Sequence, residues 1–496
     1  MKTRLAASIS LFGGLITAQI IASVQVMISN SAVYQKMSAI AQAGYLTVPG
    51  PAILPSLKTV LPAVYGGLFF TLSIGIGISL LSLVCTWLVK HTLLNKIPLT
   101  SLFLILWLAS LIALNWHGLV LIPSLYIVLI PVVVSLLYWK LGPDRLDRND
   151  YPKLLVHMLV IFLLAGVWWT QKNDALFINI RDQLLLSNKP GIRFNDFYYR
   201  YTLYPAEAFR GLHQMLLKTY HLSITNSDLD RSRLIRKLER ANYLLIDDNE
   251  AHTDVKISVD NNRIQLSGNR QRSIEWDVKD FLQHTRKRLS ELSEQNDVYL
   301  HFRKATSLGL LFGFPLMLYW LLDAFLTAVF SLCLSRNLSS IAGALGCGVI
   351  GIGLLLIMPP ADQGPIENQR LADMLAAEDT RTLTAALINI KTQKTDLQQF
   401  NMSEKLVKHP AIAVRYWLAR GLSASTDPQD ETFLMTLMQD PHPNVACQAI
   451  YSLGKRKFKQ AIPAMLQIIS ASDHWYVQLY AYGALRKLGW TQTASK

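Results

Sequence analysis

Asp323 stands inside an apolar run, "MLYWLLDAFLTAVF" (317–330). It is the only carboxylate within the segments long enough to cross a bilayer. A charge at that depth costs about 2.5–3.5 kcal/mol on insertion scales, so it has to face protein or water. The chemistry this permits is proton or ion binding. His157, in the apolar run after Tyr151, is the one obvious titratable partner. The structural alternative is a carboxylate within two turns of an interface, or one hydrogen-bonded to a neighbouring helix.

Other reactive residue types form weaker patterns. His442 and His474 fall at equivalent positions 32 residues apart, with His409 nearby. A ladder of metal ligands would need that register, but polar turn residues along one edge explain it more simply. Cys85, Cys333, Cys347 and Cys447 lack any CxxC or CxxH spacing and read as small apolar residues. Asp247 and Asp248 are adjacent on a strand end, so their side chains diverge. No Walker loop, GxSxG, HExxH or dinucleotide fingerprint occurs. No catalytic, cofactor-binding or metal-ligating residue is nominated, and a non-enzymatic role is expected.

The elements that position these residues are mostly membrane-like. The chain has 496 residues, 51% hydrophobic and 17% charged. Seven segments approach the ~20 apolar residues a spanning helix needs: 5–28, 62–89, 99–115, 118–139, 153–170, 307–332 and 339–358. A signal-peptide reading of the first is disfavoured, because its apolar stretch exceeds ~15 residues and no A-x-A site follows. Short-loop Lys and Arg concentrate on the side of the N-terminus (Lys2, Arg4, Lys90, Lys96, Lys140, Arg145, Arg148, Lys153, Arg336). The positive-inside rule then makes that side cytoplasmic and puts residues 171–304 and 359–496 outside, in a bacterial periplasm. The net charge of +14 divides into +4 for 171–304, +3 for 359–496 and +7 for the membrane-rich remainder. It is a topology signal, and a nucleic-acid partner is not expected. Gly67 and Gly75 in the second span, and Gly343 and Gly351 in the seventh, lie on small-residue faces that allow close helix packing.

Residues 171–304 read as a small α+β domain between spans five and six. "AEAFRGLHQMLLKTY" (206–220) and "DLDRSRLIRKLERA" (228–241) are expected helices, and "YLLIDD" a strand. Alternation in "TDVKISVDNNRIQLSG" predicts a hairpin turning at Asn261-Asn262. A charged helix is expected from about Trp276. Arg231, Arg233, Arg236, Lys237 and Arg240 invite a winged-helix reading, but interspersed acids favour a solvated helix face. "FYYRYTLYP" (197–205) is expected to be extended, packed on its own domain or held at a protein or headgroup contact.

The C-terminal quarter repeats. Val414, Leu418 and Leu422 recur as Val445, Ala449 and Leu453, then as Val477, Ala481 and Leu485, with Leu383 and Leu387 one period earlier. Second helices lie between, carrying Leu434 and Leu437, then Ile462, Leu466 and Ile469. Two helices per ~31 residues mean an α-solenoid. The pattern D-P-x-x-x-V-x-x-x-A-x-x-x-L-G, seen at Asp440 to Gly454, resembles HEAT-like repeats of the phycobilisome-lyase type over about 372–490. The resemblance implies a protein-binding scaffold. A minority of such proteins are bilin lyases or a di-iron hydroxylase that relies on His-Glu pairs, and this sequence has no His-Glu dipeptide.

The expected architecture is mainly α: a membrane domain over 1–170, the α+β domain over 171–304, two further spans over 305–358 and a HEAT-like domain over 359–496. The expected function is a membrane-anchored scaffold or assembly subunit in a larger complex. It would contact lipids and hold a protein partner through 359–496, with Tyr416, Trp417, Trp475 and Tyr476 as candidate contacts; burial between repeats is the alternative for those four. The competing expectation is an ion- or proton-coupled membrane component that uses Asp323.

Overall fold

The computed structural model describes residues 2–91, 96–116, 118–144, 150–171, 178, 181–225, 229–246, 253–268, 273–357, 366–400, 402–425 and 427–492. Among them, seven helices are long and apolar enough to cross a membrane. The first, α1 (Lys2–Gln42), has 41 residues. At 1.5 Å per residue it is ~60 Å long, twice a hydrocarbon core. It therefore runs well past the expected limit at residue 28 and projects as a post.

Two helix sets make up the apolar half. In the first, α1 packs with α2 (Val60–Phe70), α3 (Ile76–His91) and α5 (Leu121–Leu141), and α4 (Lys96–Asn115) lies at the edge. The second holds α6 (Asp150–Gln171), α12 (Phe314–Phe330) and α13 (Arg336–Ile357). Small residues set the spacing in both. A Cβ on Gly67 would lie 3.0 Å from the Ser23 backbone nitrogen, and one on Gly75 2.6 Å from Ala18 Cβ. In the second set, a Cβ on Gly343 would lie 2.4 Å from Thr327 Oγ1, and one on Gly351 2.7 Å from Leu164 Cδ2.

The sets meet where two helices loosen into single π turns, Thr71–Gly75 between α2 and α3, and Gly309–Gly313 leading into α12. There the backbones touch. A Cβ on Gly309 would fall 2.4 Å from Ser73 O, and one on Gly313 3.2 Å from Gly77 Cα. A π turn shifts helix phase by a fraction of a turn, which lets both glycine faces meet.

The α+β domain carries a five-stranded sheet of order β2-β1-β3-β4-β5. The strands are β1 (Lys218–Thr225), β2 (Tyr243–Leu245), β3 (Val255–Asp260), β4 (Arg263–Gly268) and β5 (Ser273–Asp277). The hairpin turns as expected at Asn261 and Asn262, both with positive φ (43° and 70°), and Asp260 pairs with Arg263. β1 runs parallel to β2 and β3, with α8 (Arg231–Arg240) as the β1–β2 crossover. Asp230 caps α8, and Leu234 and Leu238 are fully buried, each contributing roughly 1.5–3 kcal/mol. This βαβ arrangement is not a winged helix.

Three expectations here are corrected. The helix expected over 206–220 does not form: the preceding helix ends at Glu207, residues 212–214 make one 3-10 turn, and β1 takes 218–220, where the two-residue alternation of Tyr220, Leu222 and Ile224 outweighs helix propensity. Trp276 lies on β5, and the helices α9 (Val278–Gln283) and α10 (Thr285–Gln295) start only after Asp277, whose side chain caps the first. "FYYRYTLYP" is helical within α7 (Lys189–Glu207). That helix packs on α2 and the solenoid, with Phe197 and Tyr201 edge-on to Tyr65 at 5.3 and 4.8 Å. Asp247 and Asp248 lie outside the described residues.

After α11 (Leu300–Leu308), α12 and α13, the chain forms the solenoid: α14 (Asn368–Ala376), α15 (Thr380–Gln393), α16 (Ser403–Val407), α17 (Ile412–Gly421), α18 (Gln429–Leu437), α19 (Pro443–Lys455), α20 (Ile462–Ala471) and α21 (Trp475–Lys487). The recurring column is its core: Leu383, Leu387, Val414, Leu418, Val445, Ala449, Ala481 and Leu485 are all buried.

The glycine crossing is testable. Gly309→Ala is expected to lower the thermal midpoint of the detergent-solubilised protein, by the roughly 1–3 kcal/mol of an overpacked core. Gly353→Ala, where a Cβ meets nothing within 4 Å, should leave the midpoint unchanged or raise it.

Candidate functional site

Asp323 and His157 do come together, around Arg4, which the sequence marks only as a topology charge. Arg4, in the first turn of α1, reaches three other helices. Its Nη1 lies 3.3 Å from Asp323 Oδ2 and donates to Thr327 Oγ1 at 3.1 Å, both on α12. Its Nη2 donates to Ser340 Oγ on α13 at 2.6 Å and to His157 Nε2 on α6 at 3.1 Å. A guanidinium only donates, so His157 Nε2 accepts and the ring proton sits on Nδ1. Nδ1 then donates to Tyr319 Oη at 2.6 Å. Thr327 also donates to Asp323 Oδ1 at 3.4 Å.

Asp323 and His157 do not contact each other directly in this network; Arg4 stands between them. Asp323 and Phe330 are seven residues apart, as are Asp150 and His157, so the cluster lies ~10 Å in from those helix ends. Both carboxylate oxygens have partners, and the one cation is matched by the one anion. Such a site ties four helices together without a net buried charge. The signal that points to this pair is the charge balance itself: a lone carboxylate in an apolar helix implies a cation, and Arg4 lies against the C-terminal half of α12.

The solenoid carries the second set of candidates, and here its neighbours belong to the chain itself. Trp417 Nε1 donates to Asp182 Oδ2 at 2.6 Å, and the Arg181 guanidinium lies 4.0 Å over the Tyr416 ring. Tyr476 stacks on Tyr199 of α7 with centroids 4.7 Å apart. Trp475 is buried and lines a 120 Å³ cavity with Lys36, Val48 and Glu207. Tyr416 and Trp417 are buried as well, and Tyr476 is half-buried. These four aromatics thus fasten the solenoid to residues 181–207 and to the region around the end of α1.

Polar groups complete that joint. The Gln492 amide reads the Leu46 backbone in both directions, accepting from its N–H at 2.8 Å and donating to its C=O at 3.0 Å. Gly50 N–H donates to Gln478 Oε1 at 2.7 Å, and a Cβ there would lie 2.1 Å from Ile469 O. Tyr482 and Arg486 bond the turn after α8, at Asn242, Glu239 and Arg240. Lys36 near the end of α1 pairs with Asp254 beside β3 at 2.7 Å. The α+β domain and the solenoid therefore both rest on the same end of α1 and the loop after it.

The three repeat histidines sit at turns before first helices. His442 caps α19, its Nδ1 accepting from Asn444 N–H, whereas His409 stands two residues before the N-cap of α17 and its Nδ1 accepts from that residue, Ala411. His474 occupies the matching cap position on α21. Burial pushes His442 down and His474 down to about 4, so both rings are neutral at pH 7. Among the described residues no group of three or more His, Cys, Asp or Glu is placed to hold a metal.

The ion pair makes a stability prediction. Arg4→Met alone is expected to cost about 1–3 kcal/mol, below the 3–5 of a fully buried pair because the Arg4 side chain is 40% exposed. Arg4→Met with Asp323→Leu should recover most of that loss. Thermal melts of the four variants in a double-mutant cycle read the coupling; additive losses would refute it.

Comparison with known proteins bears on one part of the chain. Residues 431–495 match the HEAT repeats family model. No curated protein matches the chain, and no solved structure does. The C-terminal part thus contains HEAT-like repeats.

Proposed function

We propose that this protein is a non-enzymatic membrane-anchored scaffold or assembly subunit. Its HEAT-like solenoid binds a protein partner, and its apolar helices hold that partner's site near a membrane. The observation that carries this reading is the HEAT-repeat match at 431–495 together with the way the solenoid is fixed. HEAT repeats commonly mediate protein–protein contact, and α-solenoids present extended surfaces for it. Rigid attachment through Gln478 and Gln492 to the loop after α1 suits an arm that orients its cargo. In this reading Asp323 is an assembly residue, since Arg4 already neutralises it; that favours the scaffold over ion coupling.

The location follows the charge asymmetry. The N-terminus is cytoplasmic in a bacterial inner membrane, and residues 171–304 and 359–496 are periplasmic. Support comes from the shared contacts of both modules with the far end of α1, which call for the same side.

Two experiments test this. Affinity purification from gently solubilised membranes should recover a defined partner with the full chain and lose it on truncation at residue 360; identical companions for both forms would remove the reading. Cys333 is free and exposed between α12 and α13, on the expected cytoplasmic side. A membrane-impermeant maleimide should label it only after lysis, whereas a cysteine placed at exposed Lys457 should be labelled in intact spheroplasts. The reverse pattern would invert the topology.

A further inference from the structure

A cavity of 440 Å³ opens between the last two repeats and α7. Asp196 and Arg200 of α7 form one wall. The turns before α19 and α21, with Asp440, Asp473 and His474, form the other. Ala446, Ala464, Ile468 and Val477 supply an apolar floor.

Its charges do not balance. Asp440 is held by Arg415 through two contacts of 2.6 and 3.1 Å. Asp473 is met by Arg200 at 3.1 Å. Among the described residues Asp196 has no cation paired with it: its neighbour is His442, 3.3 Å away, and burial keeps that ring neutral. A carboxylate beside a neutral imidazole leaves the cavity one negative charge in excess.

A second observation is independent of the acids. His474 lines the same cavity and is only 8% exposed, yet neither ring nitrogen has a hydrogen-bond partner among the described residues. Its counterpart His442 accepts from the helix N–H at this position; His474 does not. An unmade hydrogen bond at a buried polar group costs about 1–3 kcal/mol, so an arriving donor is favoured there. Cation, donor and apolar stem together describe one kind of group.

We propose that this cavity receives a basic side chain, arginine or lysine, from an extended segment of the partner protein, its charge meeting Asp196 and a donor group meeting His474. The inference rests on the scaffold reading above and names where and by what chemistry the partner is gripped. The volume falls in the range of ligand pockets, ~300–1,000 Å³, leaving room for the residues on either side of the basic one.

The test uses the full chain in detergent and saturation-transfer NMR with N-acetyl-Gly-Arg-Gly-amide. Asp196→Asn, a substitution at a half-exposed position, should keep the thermal midpoint and weaken peptide binding roughly tenfold, the loss of one charge-assisted contact. The citrulline peptide, neutral and nearly isosteric, should bind about tenfold more weakly than the arginine peptide. Equal binding of the two peptides, indifference to Asp196→Asn, or no binding at all would overturn the inference. So would methylguanidinium binding as tightly as the peptide, which marks a small-cation site. Partner recovery separates the two levels. A partner retained by Asp196→Asn but lost on truncation at residue 360 leaves the scaffold standing and removes this cavity as its grip.

Discussion

The backbone of Gly309 lies against the carbonyl of Ser73 with no room for a methyl group, and the arrangement of the whole chain follows from that contact. It joins the two helix sets at a fixed distance and register. Only in that register does Arg4 on α1 reach Asp323, His157 and Ser340 on the three helices of the other set. The α+β domain leaves the apolar helices after α6 and returns into α12, and the solenoid follows α13. If the sets slid, neither module would find the end of α1. Close backbone contact and polar links hold the two sets in register.

The polar links are placed with economy of charge. One cation and one anion sit in the apolar region of this junction, each also bonded to hydroxyls or a neutral imidazole. Arg4 and Asp323 lie 3.3 Å apart, so the carboxylate that attracts a transport reading in the sequence is tied into a contact between helices.

What the sequence made legible follows the strength of its local signals. The repeat column of the solenoid was readable because identical residue types recur at one period, and each falls in the buried core. The hairpin was readable because Asn261 and Asn262 tolerate the positive φ a two-residue turn requires. The apolar spans were readable from length alone, although α1 continues past its apolar stretch because packing against both modules keeps it helical. What escaped lies in tertiary context. Arg4 looked like a topology charge until a helix more than three hundred residues away brought it a carboxylate. The two π turns have no sequence signature. Residues 197–205 carry aromatic and β-branched types that suit a strand, but contacts with Tyr65 and Tyr476 hold them as a helix.

The four aromatics expected as candidate partner contacts instead pin the solenoid to its own chain. α17, α19 and α21 carry contacts with residues 181–207 and the loop after α1. The cavity opens at the seam where the last repeats meet α7. A seam differs physically from an open face: it is walled by two elements, so a side chain entering it loses water on several sides and meets groups held at fixed distances. It is also sensitive to the docking itself, because moving the solenoid from α7 would separate Asp196 from His474. Recognition at such a seam would depend on the solenoid being seated on α7.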